Sequence, residues 1–126
     1  MTDSLQDLAQ RLERFAEARE WKPFHAPKNL AAALIVEAGE LLEHFQWLSE
    51  EESRRLAPEQ RQAVGAEIAD VLLYLVQLST ALGIDPVAEA RKKIEVNERR
   101  YPVERARGRS TKHDRLGDAP RKETGD

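Results

Sequence analysis

Apolar residues recur along most of this chain at spacings of three and four, with charged residues between them, the pattern of amphipathic helices. A first stripe runs Leu5, Leu8, Leu12, Phe15 and Ala16, with Asp3 or Ser4 placed to cap it and an end expected near Arg19. Trp21 to Lys28 holds two prolines and reads as a loop leading to Asn29 as the next N-cap. The central helix, clearest from Ala33 to Trp47, has the stripe Leu30, Leu34, Leu41, Phe45 and Leu48. Ser49 is expected to cap one short turn, Pro58 to open a long helix, and Gly83 to stop it after Leu82. Asp85 is expected to cap a further helix from Pro86, with Val87, Ala90, Ile94 and Asn97 on its inner face and Tyr101-Pro102 ending it. The expected fold is therefore all-α and four-helix bundle-like.

Two of these stripes carry acids where leucine is expected. Glu37 lies three residues after Leu34 and four before Leu41, and Glu40 follows on nearly the same side. Glu67 lies three after Val64 and four before Val71, with Asp70 three further on. Burying an unpaired ionised carboxylate costs on the order of tens of kcal/mol by the Born estimate, so four facing acids require protons or cations. A hard divalent metal meets that need most simply.

Composition narrows the class. With 126 residues, 40% of them apolar and 34% charged, the chain suits one soluble domain with a modest core. There is no cysteine, so disulfides and thiolate metal sites are excluded, in keeping with a cytoplasmic setting. The N-terminus lacks the apolar centre of a signal peptide, and no run is expected to reach bilayer length. A net charge of −3 argues against a nucleic acid polymer as partner but leaves a free nucleotide open. The domain is placed at residues 1–102, and residues 103–126 read as a polar tail, partly disordered, with seven basic against five acidic residues. Few large apolar residues are shared among the helices, which points to an oligomer that enlarges the core.

The loop Trp21-Lys22-Pro23-Phe24-His25 gathers two aromatic rings and an imidazole. Taken singly, Trp21 and Trp47 are better explained by packing or a subunit interface, and His25, Lys93 and Asn97 by ordinary surface roles. Tyr74 differs, because it lies four residues after Asp70 on the acidic face of its helix. Glu43, His44, Glu50, Glu51 and Glu52 have no apolar neighbours at helical spacing and are assigned to solvent.

Glu37-Ala-Gly-Glu40, then 26 residues, then Glu67-Ile-Ala-Asp70 resembles the EXXE and EXXD signature of the MazG-like all-α nucleoside triphosphate pyrophosphohydrolases. The surroundings sharpen it: Trp21 to His25, Pro27-Lys-Asn-Leu30, Phe45-Gln-Trp47, Asp70 to Tyr74, and Lys93 to Pro102 resemble the dCTP pyrophosphatase branch in order and spacing, over about residues 5–112. The resemblance implies hydrolysis of a (deoxy)nucleoside triphosphate to monophosphate and pyrophosphate, with dCTP and 5-modified dCTP as substrates and pool sanitation as the purpose. It implies magnesium, with manganese as a substitute, held by Glu37, Glu40, Glu67 and Asp70. It implies that the Trp21 to His25 loop, Trp47 and Tyr74 line the base and sugar pocket, and that Lys93, Asn97 and Tyr101 approach phosphates or sugar. It further implies a homodimer or homotetramer with sites at subunit interfaces.

Spacing names no general base. Family members often carry a further Glu before each motif; Val36 and Ala66 stand there instead, and Leu12 occupies a first-helix position where a substrate contact would be polar. Three other readings compete. A triphosphate pyrophosphohydrolase of broad specificity keeps the acids and loses only the base preference. A carboxylate-bridged di-iron bundle needs Glu-x-x-His, which neither Glu37 nor Glu67 begins. A helical interaction module explains the amphipathic helices but not acids on apolar seams.

Overall fold

The computed structural model describes residues 4–108 and 110, and among them every regular element is helical. In chain order these are α1 (Leu5–Ala18), a single 3-10 turn (Lys22–Phe24), α2 (Pro27–Glu43), α3 (Glu50–Ser53), α4 (Pro58–Leu82), α5 (Pro86–Arg100) and α6 (Val103–Ala106). The chain divides into two compact units, Met1–Pro86 and Val87–Asp126.

In the first unit α4 packs along α2 and, over a shorter stretch, against α1. Its buried apolar side chains are few: Ala16, Leu30, Val64 and Val76. Leu30, with 2% of its surface exposed, anchors α2. Truncating such a side chain to alanine costs about 2–5 kcal/mol.

Local chemistry fixes the helix ends. Ser4 caps α1, its Oγ accepting from the Asp7 N–H at 3.1 Å. Ser49 and Glu52 form a reciprocal capping box on α3: the Glu52 N–H donates to Ser49 Oγ at 3.1 Å and the Ser49 N–H to Glu52 Oε1 at 3.0 Å. The hydrogen bonds from Ser49 hold the Glu52 carboxyl below its ordinary range. Gly83 ends α4 at φ 67°, and the Ile84 N–H reaches back to the Ser79 carbonyl at 2.9 Å, a closure that needs the left-handed region. The end of α1 closes in the same way, with Trp21 N–H on the Ala16 carbonyl at 2.9 Å, but the left-handed position is held by Glu20 at φ 54°. An L side chain pays about 1–2 kcal/mol there.

Four expectations are corrected. The N-cap of α2 is Ala26, not Asn29, because Pro27 supplies a ready-made first turn and Asn29 instead donates its side-chain N–H to the Phe24 carbonyl at 3.3 Å. The helix ends at Glu43 and not Trp47, since the backbone from His44 onward tightens into turns such as Phe45 N–H to Leu42 O at 2.9 Å. His44 is half-buried where solvent was expected. Finally, α4 has the length and composition to cross a membrane, with a mean hydropathy of 1.3 over its most apolar window. Glu67 and Asp70 stand within that helix, one face of which packs on α2, and one mid-membrane acid costs about 2.5–3.5 kcal/mol on insertion scales, which weighs against a membrane span.

Much apolar surface stays uncovered on this single chain. Ile35 and Leu42 on α2 and Ile68, Leu75 and Leu82 on α4 are exposed at intervals of seven, two ordered rows. Gly39 and Gly65 lie on the same helices with open space around the position a Cβ would take.

In the second unit, Tyr101 N–H donates to the Asn97 carbonyl at 2.7 Å, and Arg99 and Arg100 occupy the last turn of α5, where cations suit the helix dipole. Val103–Ala106 form a short helix after Pro102, one turn more order than a tail beginning at residue 103 implied. The expected alternative cap Asp3 and the polar stretch from residue 111 onward lie outside the described residues.

Candidate functional site

The acids of α2 and α4 meet where these helices pack. Carboxylate oxygens of Glu37, Glu67 and Asp70 lie within 4.8 Å of one another. Glu37 and Glu67 are half-buried, and the Oε2 atom of each is shielded from solvent with no hydrogen-bond partner among the described residues. Helical spacing explains the meeting: each acid replaces a seam residue, so the packing that should join leucines joins carboxylates.

The electrostatic result is a raised affinity for protons at Glu37, whose pKa is pushed up to about 7. Hydrogen bonding to Glu40, available only when Glu37 carries a proton, contributes most. Burial, a hydrogen bond to Glu67, and the charges of Glu40 and Asp70 follow. Glu40 thus stands beside Glu37 but outside the closest set of three. Orphaned oxygens, converging carboxylates and a displaced proton equilibrium together fit a hard divalent cation bound through oxygen.

A cavity of about 350 Å³ opens next to this cluster, lined by Leu12, Phe15, Trp21, His25, Asp70, Leu73, Tyr74 and Gln77. Asp70 belongs to both the cluster and the cavity. Tyr74 follows it by one turn of α4, and the rings of α1 and the loop form a row: Trp21 meets Phe15 edge-on at 5.6 Å and His25 at 6.4 Å. The closure at Glu20 sets Trp21 there by folding the chain back over the end of α1. Arg19 stacks over the Phe15 ring at 3.6 Å.

Not every expected residue gathers at this cavity. Lys22 is engaged by Glu17 at 2.7 Å and Glu13 at 3.7 Å, carboxylates that raise its pKa, and it lines a neighbouring cavity of about 270 Å³ with His25 and Gln77. Pro23 and Phe24 form the 3-10 turn and are exposed. Trp47 is 86% exposed and is not among the residues that line this cavity with Trp21 and Tyr74. Lys93, Asn97 and Tyr101 belong to the second unit. Conversely, the structure adds Leu12, Phe15, Leu73 and Gln77 to the lining. Leu12 reaches the cavity as an apolar wall. Gln77 had a sequence signal, for it follows Asp70 by seven and Tyr74 by three on one helical face.

Fold and site define an all-α protein with a carboxylate centre between two helices and an aromatic cavity at its side. The chain belongs to the MazG-like family, whose model matches residues 33–116. It is 39% identical to dCTP pyrophosphatase 1 of Bos taurus over 87% of this chain and 66% of that protein. It is also 39% identical to the Homo sapiens protein of the same name, over 90% and 68% respectively. The chain thus spans about two thirds of the length of these relatives. A pyrophosphatase from Archaeoglobus fulgidus, known from its crystal structure, superimposes with a TM-score of 0.75 at 39% identity, covering 81% of this chain and 95% of the archaeal one.

Proposed function

We propose that the protein hydrolyses nucleoside triphosphates between the α and β phosphates, releasing a monophosphate and pyrophosphate, with magnesium as cofactor and dCTP and its 5-modified relatives as preferred substrates. The observation that carries this reading is the shared position of Asp70, at once a member of the acidic cluster and a wall of the aromatic cavity. A substrate with a polyanion at one end and a flat ring at the other fits that juxtaposition. The names of the relatives support the reaction and the base.

In this mechanism Glu37, Glu67 and Asp70 would hold the cation, with Glu40 as a fourth ligand beside Glu37. The chemistry that magnesium would supply when bound there is neutralisation of phosphate charge and activation of the attacking water. The chain's own residues do the rest. The four carboxylates keep the phosphate chain from docking productively without a cation, which makes activity metal-dependent by repulsion as well as by chemistry. Trp21 and Tyr74 give the base apolar faces to rest on, and Leu12, Phe15 and Leu73 keep water from it. A tight apolar wall near the sugar disfavours a 2′-hydroxyl, because a polar group without a partner loses its hydration there. The roles of Lys93, Asn97 and Tyr101 rest on the family resemblance and call for substitution one at a time.

The functional unit in this reading is a homodimer or homotetramer. Its support is the pair of exposed rows on α2 and α4, seven-residue repeats that a second copy can cover. Trp47, exposed on one chain, would then find its place at a neighbour's surface.

The test is a panel of common ribo- and deoxyribonucleoside triphosphates with magnesium, read for pyrophosphate and for single phosphate. Pyrophosphate release led by dCTP is expected. Uniform turnover removes the base preference and leaves a broad-specificity enzyme; silence with both magnesium and manganese overturns the enzyme reading.

A further inference from the structure

The turn that carries Trp21 and His25 into the cavity wall is bent against a cost and lightly packed. Glu20 enters it at φ 54°, in the left-handed region that an L side chain resists. Trp21 keeps 44% of its surface exposed, so its edge-on contact with Phe15 does not pin it from all sides. Lys22 lies between the two rings in sequence, and its side chain returns to α1: Nζ donates to Glu17 Oε1 at 2.7 Å and stands 3.7 Å from Glu13 Oε1. Glu13 and Glu17 are four residues apart and share one face of that helix. Leu12 and Phe15 of the same helix wall the cavity beside Asp70. Pro23, with Phe24 N–H on Trp21 O at 2.9 Å and His25 N–H on Lys22 O at 3.0 Å, makes the segment one stiff turn. A tie at Lys22 therefore acts on both rings.

A lysine in a triphosphate enzyme is ordinarily sought at the phosphates. This one faces two carboxylates and lines the neighbouring cavity of about 270 Å³, not the one that Asp70 shares. A phosphate would have to displace both carboxylates to reach it. Resting on the nucleotide reading above, we infer that Lys22 is a positioning residue, whose ion pairs with Glu17 and Glu13 clasp the turn to α1 and hold Trp21 and His25 in the wall of the nucleotide cavity. All three side chains are about half exposed, so the clasp shifts the balance between a seated and an unseated turn by no more than about fivefold. That bias falls on binding. An unseated Trp21 gives the base no face to rest on, and apparent affinity drops with the seated fraction. The acids on α2 and α4 are untouched.

The experiment measures hydrolysis of whichever triphosphate the substrate panel ranks first. Alongside it, acrylamide quenching is read in a Trp47→Phe background, which leaves Trp21 as the one tryptophan. Lys22→Met and Lys22→Glu remove the clasp, and Lys22→Glu combined with Glu17→Lys rebuilds it in reverse. With the clasp gone, KM should rise about two- to fivefold at a held kcat, the mark of lost uniform binding, and Trp21 should be quenched more readily. The reversed pair should bring both back. It also separates the roles, because its cation stands on α1 and no longer on the turn. A Lys22 that touched phosphate would leave KM high while quenching recovers, which overturns the assignment. Quenching unchanged in Lys22→Glu overturns it as well, as does kcat lost at a held KM. A parent silent on every triphosphate overturns the reaction reading, and quenching, which needs no substrate, still decides whether the clasp seats Trp21.

Discussion

Glu37 on α2 and Glu67 on α4 face each other across the packed seam, each with an Oε2 that neither solvent nor a hydrogen-bond donor reaches. Ionised, the pair repels; protonated or bound to a cation, it holds the helices together. Most of the expected behaviour of this protein follows from that choice.

Magnesium should raise the melting temperature. A ligand at a hundred times its Kd stabilises by about 2.7 kcal/mol when it binds only the folded state. Differential scanning fluorimetry with and without EDTA checks this, and an unchanged melting temperature at millimolar magnesium would contradict the cation site.

Replacing Glu40 by Gln or Asp70 by Asn should abolish turnover and leave the fold intact. The loss should exceed the ~10–100-fold typical of an outer-shell partner of a metal. In EDTA the melting temperature should stay level or rise, because the cluster loses a negative charge. Magnesium-dependent turnover retained in both variants refutes their role as ligands.

The pH dependence of the metal-free protein has a definite sign. Glu37 titrates at about 7 when folded against an ordinary value of 4.5, so the folded state binds its proton more tightly. Its stabilising contribution is complete below pH 4.5 and is lost as pH rises through 7. Urea unfolding in EDTA between pH 4.5 and 8 should therefore show a downward component that Glu37→Gln removes. A wild-type slope matching that of the variant would show that Glu37 does not carry it.

Glu20 sits in the left-handed region where glycine is at ease. Glu20→Gly should stabilise the chain by about 1 kcal/mol, as strain in the backbone is released. If activity falls while stability rises, the closure that sets Trp21 in the cavity needs the stiffer residue.

The exposed rows make a further prediction. Sedimentation should find a dimer or tetramer, and Ile68→Asp should dissociate it. On a surface that truly faced solvent, the same change would alter stability by no more than about 0.5 kcal/mol. A parent that sediments as an active monomer rules out the oligomer.

Local rules made much of this legible beforehand. Ser4, Ser49 and Gly83 mark helix ends through hydrogen bonds made within a few residues, and Pro58 through its fixed φ, and the structure has them in those roles; the Glu52 half of the Ser49 capping box, assigned to solvent, was not foreseen. Glu37 and Glu67 were readable because an acid on an apolar stripe calls for a proton or a cation to settle its charge, and the structure brings the two together. The start of α2 was not, since Asn29 has the chemistry of an N-cap but spends its amide on Phe24, a choice made by the loop's path. Gln77 was missed for another reason. It shares a helical face with Asp70 and Tyr74, but that face becomes a cavity wall only when α1 and the Trp21 loop close over it.

The two acid pairs share one spacing, three residues apart on each of the two packed helices. Each residue added to or removed from a helix turns everything beyond it by about 100°. A single deletion between Ala31 and Glu37 would therefore swing one carboxylate pair off the seam and bring Ala38 and Leu41 to face the remaining acids, and one between Val64 and Glu67 would bring Ile68 and Val71 there. The stretch from Gln46 to Ala57 imposes no such phase relation. Viable length variants of this protein should thus cluster in that connector, and α2 and α4 should accept substitutions far more readily than insertions or deletions.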